Sequence, residues 1–310
     1  MCIVAAKYFK DVGWVGVKNR DRNYATKIHI VRSNRNRIER LFIDDDLSRY
    51  TEGLNEFGVC IISSTLAVKS DEKEGKQARS SGSRRAEDDF KSIDGKKIRT
   101  ALFAKTAEQA AKMLVESQLV GATLIFDTQR CFILEAAYNI RKAEAERKSV
   151  EREFKHSLKE IKKSDIVVRT NHGIDLRNTG YQFGPTEKAK KKRRSSESRR
   201  KIALAGIKLA TEPRDMLVAL SQEPNRDTFF NPIRRGNVLK KEMVTTGQLL
   251  LISKSRTLGY IRIQSNVTFD ALKRSDGESK TNFKLLKLES EKVESFSEWN
   301  CYDARGEDLL

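Results

Sequence analysis

Behind Gly58 stands the segment VCIISSTLAV, residues 59–68, mostly β-branched and apolar. A strand apolar on both sides has to be covered on both sides, so the chain must build layers around it. Other segments read as companion strands: residues 2–9, 12–18, 27–32 and 38–43, then ATLIFD, RCFILEA and IVVRT, and a late hairpin from 249–253 and 257–263. Gly13 and Gly16 permit close backbone approach in the second strand. Thr100 is expected to cap a helix whose apolar stripe, Ala101, Leu102, Ala104, Ala107, Ala111 and Leu114, runs to about Gln118. A second helix lies within 195–220, broken near Pro213. Over 141–163, Val150, Phe154 and Leu158 fit one face of a helix or of a strand. The elements give mixed α and β structure, and 310 residues with 38% hydrophobic content suit one large domain.

Two stretches interrupt this pattern. Residues 69–99 lose apolar content and gain Gly, Ser and charge, as an exposed insertion does. A second insertion is expected near 185–198. The domain is expected over 2–288, with 289–310 a peripheral, polar C-terminal segment. No apolar run approaches a membrane span, and the opening MCIVAAKYFKD lacks the form of a secretory signal, so a cytoplasmic protein is expected. Four cysteines without a CxxC pair, and only three histidines, give no zinc-ligand spacing. No metal or organic cofactor is expected.

Cys2 carries the chemistry. Methionine aminopeptidase removes Met1 when the second side chain is small. The mature chain then begins with a thiol and an α-amino group on one residue. The thiolate is the reactive form of cysteine, and an α-amine with a pKa of about 7.7–8.0 serves as base at neutral pH. One residue thus supplies both halves of a nucleophile–base pair. A small hydrophobe in a first strand is the plain alternative for Cys2. Four polar clusters accompany it at strand ends or a helix start: Lys18-Asn19-Arg20-Asp21, Gly53-Leu54-Asn55-Glu56-Phe57-Gly58, Thr170-Asn171-His172 and Ser195-Ser196-Glu197-Ser198-Arg199.

In order and spacing this set resembles the choloylglycine hydrolase, penicillin V acylase and isopenicillin acyltransferase group of N-terminal nucleophile (Ntn) hydrolases, over roughly residues 2–265. The resemblance implies an α+β fold, a four-layer αββα sandwich of two antiparallel sheets between helical layers, and hence strands rather than helix within 150–160. It implies Cys2 as nucleophile, Asp21 as acceptor for its α-amine, Asn171 as oxyanion donor, Asn55 polarising the same carbonyl, and Arg199 holding the charge network. Lys18 stands where the group has Arg, keeping the charge but losing the planar fork. His172 is expected as a wall residue, and Asn19 and Arg20 as substrate-binding neighbours. The opening is also similar to a related family with an Asn-Arg-Asp-Glu motif, in which Arg22 here replaces the Glu.

The expected activity is that of a cysteine amidohydrolase or acyltransferase acting on a non-peptide amide bond through a thioester acyl-enzyme. The net charge of +18 favours anionic partners. Lys190, Lys191, Lys192, Arg193 and Arg194 lie in a basic run, which reads either as a solvated face or as a phosphate-binding surface. The substrate is therefore expected to be an acyl-amide that is anionic or nucleic-acid-linked. The competing class is a basic nucleic-acid-associated or assembly protein with the same fold and no catalysis. Nucleic acid and a second copy of the chain are the macromolecular partners considered, and no membrane.

Overall fold

The computed structural model describes residues 2–24, 26, 28–45, 47–66, 94–142, 150–177, 179, 186–236, 240, 242–263 and 283–287. Among the described residues, thirteen strands form two antiparallel sheets. The first sheet runs β10-β1-β2-β11-β12-β13, with β1 Ile3–Phe9, β2 Gly13–Arg22, β10 Val167–Arg169, β11 Val244–Ile252, β12 Thr257–Arg262 and β13 Phe283–Lys287. The second runs β3 to β9 in chain order, from β3 Ile28–Arg35 and β4 Ile38–Asp45 through β5 Thr51–Asn55, β6 Cys60–Ser64, β7 Gly121–Phe126 and β8 Cys131–Lys142 to β9 Val150–Ile161. Four helices are described: α1 over 94–101, α2 Ala107–Glu116, α3 Glu187–Leu209 and α4 Pro213–Leu220.

Alternation along the strands assigns the layers, because successive side chains point to opposite faces. Val4, Ala6 and Trp14 of the first sheet pack with Leu41, Ile43, Ile62 and Phe126 of the second, forming the core between the sheets. Their neighbours Ile3, Ala5, Val15 and Val17 point the other way, onto Ala203, Ile207, Met216 and Leu220 of α3 and α4. On the far side, Phe42, Ile61, Ile125 and Phe132 meet Ala107, Ala110, Ala111 and Leu114 of α2. The order is helix, sheet, sheet, helix. The sheets press together at Gly16, where a Cβ would stand 2.5 Å from the Phe126 ring. That contact fixes glycine at this point of β2.

Several expectations needed correction. The helix after the first insertion does not start at Thr100: α1 already covers 94–101, and α2 begins after Thr106, whose side chain accepts from Gln109 N at 3.2 Å. Residues 94–99 are therefore helical, and the rest of the first expected insertion, 69–93, lies outside the described residues. Residues 187–198, within the second expected insertion near 185–198, are the first half of α3. Residues 150–161 form β9, paired with β8 from Cys131↔Ile161 to Lys142↔Val150. Its charged side chains suit a sheet edge, while Phe154 packs against Tyr138 with ring centroids 5.7 Å apart. The C-terminal segment 289–310 lies outside the described residues.

Candidate active site between the sheets

Cys2 precedes β1, whose register pairs Ile3 with Asn19 and Val4 with Lys18. The same alternation splits β2 into two sets. Lys18, Arg20 and Arg22 point between the sheets, with the Cys2 thiol. Asn19 and Asp21 point towards the helices.

The inter-sheet set is an ionic cluster. Glu52 of β5 accepts from both Lys18 and Arg20. Asp45 of β4 lies 3.4 Å from Arg20 Nη2 and 3.5 Å from Arg22 Nε, and accepts from Tyr24 and Ser48 at 3.0 and 2.9 Å. Arg22 Nη1 donates to Cys2 Sγ at 3.4 Å and to Asp21 O at 2.9 Å. Burial raises the Cys2 pKa, but Lys18 and Arg22 outweigh it, and the thiol falls to about 6. Burial also drives Lys18 well below the usual lysine range, aided by Arg20 and Arg22. A thiol with such neighbours is largely thiolate at neutral pH.

The helix-facing set is equally buried. Asp21 is held by Arg199 of α3, by Thr245 Oγ1 at 2.8 Å and by Arg234 Nε at 3.3 Å. A bulge between Thr245 and Gly247, opposite Asp21 and Arg20, re-aims β11 here. Asn19 donates to Leu220 O and Pro232 O at 2.8 and 3.0 Å, and accepts from Gln248.

The Thr170-Asn171-His172 segment closes the site. Cys2 N donates to Asn171 Oδ1 at 3.1 Å, and Asn171 Nδ2 to Thr65 O at 2.8 Å. His172 Nδ1 lies 2.8 Å from Ser196 Oγ and 3.1 Å from Thr170 Oγ1. Burial lowers its pKa, so the ring is neutral at pH 7. Behind this segment, Glu135 of β8 accepts from Arg169 Nε at 2.6 Å and from the backbone of Ile174, Asp175 and Leu176 at 2.8–3.0 Å.

The structure thus brings Cys2, Lys18, Asp21, Asn171 and Arg199 into one neighbourhood and redistributes some roles. The acceptor shown for Cys2 N is Asn171, where the resemblance pointed to Asp21. Asn55 does not serve the carbonyl: both its amide protons go to Leu102 O and Ala104 O, at 3.0 and 2.7 Å, and its Oδ1 accepts from Phe57 N and Val59 N. It ties the β5–β6 turn to the end of α1. Asn19 and Arg20 are fully buried and committed to protein partners, so they do not line an open substrate surface. The basic side chains Lys190, Lys191, Arg193 and Arg194 are exposed on α3 and Lys192 is half-buried. Lys190 pairs with Glu187, Arg193 with Glu197, and Lys191 lies 3.6 Å from Asp227. Sequence reasoning missed Arg22, Glu52 and Asp45. Arg22 was visible only as a departure from a motif, and the two carboxylates come from strands distant in sequence.

Among the described residues, no group of three or more His, Cys, Asp or Glu side chains is placed to hold a metal ion, and no helix is long and apolar enough to cross a membrane.

The layer order is that of an αββα sandwich, with the Cys2 thiol at the start of β1 between the two sheets. Among solved structures, the chain is similar to a mutant conjugated bile acid hydrolase from Clostridium perfringens, at 14% identity and a TM-score of 0.44, covering 94% of this chain and 98% of that one. It is also similar to a penicillin V acylase from Agrobacterium tumefaciens, at 11% identity and a TM-score of 0.41, covering 94% and 93%. No family model matches the chain, and no curated protein matches it in sequence.

Proposed function

We propose that the chain, once Met1 is removed, is an N-terminal-cysteine amidohydrolase or acyltransferase acting on a non-peptide amide bond. One observation carries this reading: Cys2 Sγ lies against Arg22 while Cys2 N is held by Asn171. The thiolate attacks the amide carbonyl, and the S–C bond forms. The freed α-amine of Cys2, oriented by Asn171 Oδ1, carries the proton that leaves with the amine product. Asn171 Nδ2 spends one of its two protons on Thr65 O, and the second is available to the developing oxyanion. A preorganised amide donor there is worth about 3–4 kcal/mol. Arg199 acts at one remove by fixing Asp21 beneath the site. Water or a second amine then accepts the acyl group from the thioester.

Intact mass and an acyl-amide panel test the reading. A mature mass lacking Met1, turnover by wild type, and no turnover by a folded Cys2→Ala variant are the expected results. Retention of Met1, or equal turnover by the variant, removes the enzyme class.

The exposed cations of α3 favour a second reading, in which the protein associates with nucleic acid through this face. The ion pairs to Glu187, Glu197 and Asp227 reduce its field. Binding to DNA that weakens steeply with added salt would support this reading, and a flat salt response would remove it.

A further inference from the structure

β9 is the outer strand of the second sheet. β8 holds one side of it, and among the described residues no strand pairs with the other. Such an edge offers a row of backbone donors and acceptors to another chain. Charge of a single sign along an edge repels a second copy, and β3, at the opposite edge of the sheet, carries Arg32 and Arg35 with no acid. β9 reads VEREFKHSLKEI and carries both signs.

The signs are arranged about the middle of the strand. Two copies of one strand pair antiparallel about a twofold axis, which passes between a residue and its own copy. Centred on His156, the register sets Glu153 opposite Lys159, Phe154 opposite Leu158 and Lys155 opposite Ser157, and the rung of Glu160 takes Arg152. Each of these rungs occurs twice. The register uses all of 151–161, with no lysine against a lysine and no carboxylate against a carboxylate. Centred on Lys155, that lysine faces itself; centred on Ser157, it faces Lys159. Centred on Phe154, Glu153 meets Lys155, but Lys159, Glu160 and Ile161 have no strand residue opposite them.

The side chains are placed for this pairing. Phe154 leans on the α2 side of the sheet and stacks on His156, with ring centroids 5.6 Å apart. Leu158, on the same face by alternation, is left 37% exposed, and Phe154 of a second copy would cover it. On the other face Glu153 lies 3.5 Å from Lys155, and Lys159 pairs with Asp175 while 56% of its side chain stays exposed. Exposed pairs of this kind hold weakly, so a second copy competes for both.

We infer that β9 is a homodimer interface, in which two copies pair their β9 strands antiparallel about His156 and join their seven-stranded sheets into one. Main-chain hydrogen bonds supply the attraction, and the charge pattern sets the register. The inference is independent of the chemistry at Cys2.

Sedimentation velocity of the full chain over a concentration series tests it. Wild type should dimerise. Glu153→Lys and Lys159→Glu should each weaken the dimer by about tenfold or more, because both symmetry-related rungs become repulsive at once. An equimolar mixture of the two variants should dimerise as wild type does, since the lysines of one copy then face the carboxylates of the other at both rungs. The double variant should recover the dimer for the same reason. The register centred on Phe154 allows neither recovery. A wild type that stays monomeric up to its solubility limit means that the edge is covered from within the chain or by a different protein, and overturns the inference. A dimer that neither folded variant weakens lies on another surface and overturns it too, as does a mixture of folded variants that stays monomeric. Should the variants not fold, amide exchange in wild type decides: exchange across 151–161 should slow as concentration rises, and unchanged exchange overturns the inference.

Discussion

The main-chain nitrogen of Cys2 donates to Oδ1 of Asn171 at 3.1 Å, across 169 positions of sequence. The bond exists because β1 pairs with β10, setting Val4 opposite Arg169. Asn171 lies two residues beyond that rung and so arrives at the start of β1. The nucleophile and the amide that orients it are thus placed by one short antiparallel ladder at the edge of the first sheet.

The reactivity of Cys2 should follow its lowered pKa of about 6. Thiolate is the reacting form, so the iodoacetamide rate should climb through pH 6 and level off above about 7, where an unperturbed thiol would still be climbing towards its pKa of about 8.5. A pH series with peptide mapping measures it. A rate still rising steeply at pH 8 would show that Lys18 and Arg22 do not hold the thiolate.

Asn55→Ala should lower stability and leave the chemistry of the folded protein unaffected. It leaves buried carbonyls of Leu102 and Ala104 without donors, at a cost of about 1–3 kcal/mol. Urea denaturation measures the loss. Acyl-amide turnover per folded molecule should match wild type, and a collapse of turnover with full stability would return Asn55 to the active site.

Arg199→Met should be severe, because it takes from the buried Asp21 carboxylate one of the two cations paired with it, leaving Arg234 and Thr245. Removing one partner of a buried ion pair costs about 3–5 kcal/mol. The double variant Asp21→Asn with Arg199→Met should regain part of that stability, since it removes both charges. Thermal unfolding of the single and double variants decides the point, and strict additivity would mean that the pair is not coupled.

Gly16→Val should separate the sheets. Its side chain would enter space already held by Phe126 and Ile62, and overpacking of this kind costs about 1–3 kcal/mol. A second change, Phe126→Leu, makes room and should recover part of the loss in a denaturation series.

Much of the layered fold was legible because alternation is a local signal. The β-branched run after Gly58 is β6, and the opening strands are β1 and β2. Residues 141–163 were ambiguous because a charged edge strand and a helix face share the spacing of Val150, Phe154 and Leu158. Only pairing with β8 resolves them, and pairing is not a local property. Thr100 failed as a cap for a related reason: the buried stripe continues through Ala101, Leu102 and Ala104, but the backbone turns before restarting at Thr106. At the site, Cys2, Asp21, Asn171 and Arg199 were readable from their order along the chain. Of the cations that lower the Cys2 pKa, Lys18 was readable and Arg22 was not. Arg22 sits one residue past the familiar motif, and Glu52 and Asp45 reach the cations of β2 from another sheet.

The strand that delivers Asn171 spans three residues, Val167–Arg169, the shortest of those described. A ladder of that length cannot hold a loop rigid unaided. Glu135, reaching across from the other sheet, acts as its latch by gathering three consecutive backbone amides and the Arg169 side chain. The segment that carries Asn171 is therefore fastened from two sides, by Glu135 beyond it and by Ser196 and Thr65 along it, more than by its sheet. Loosening Glu135 would free the loop after His172 while the rest of the sandwich stayed standing.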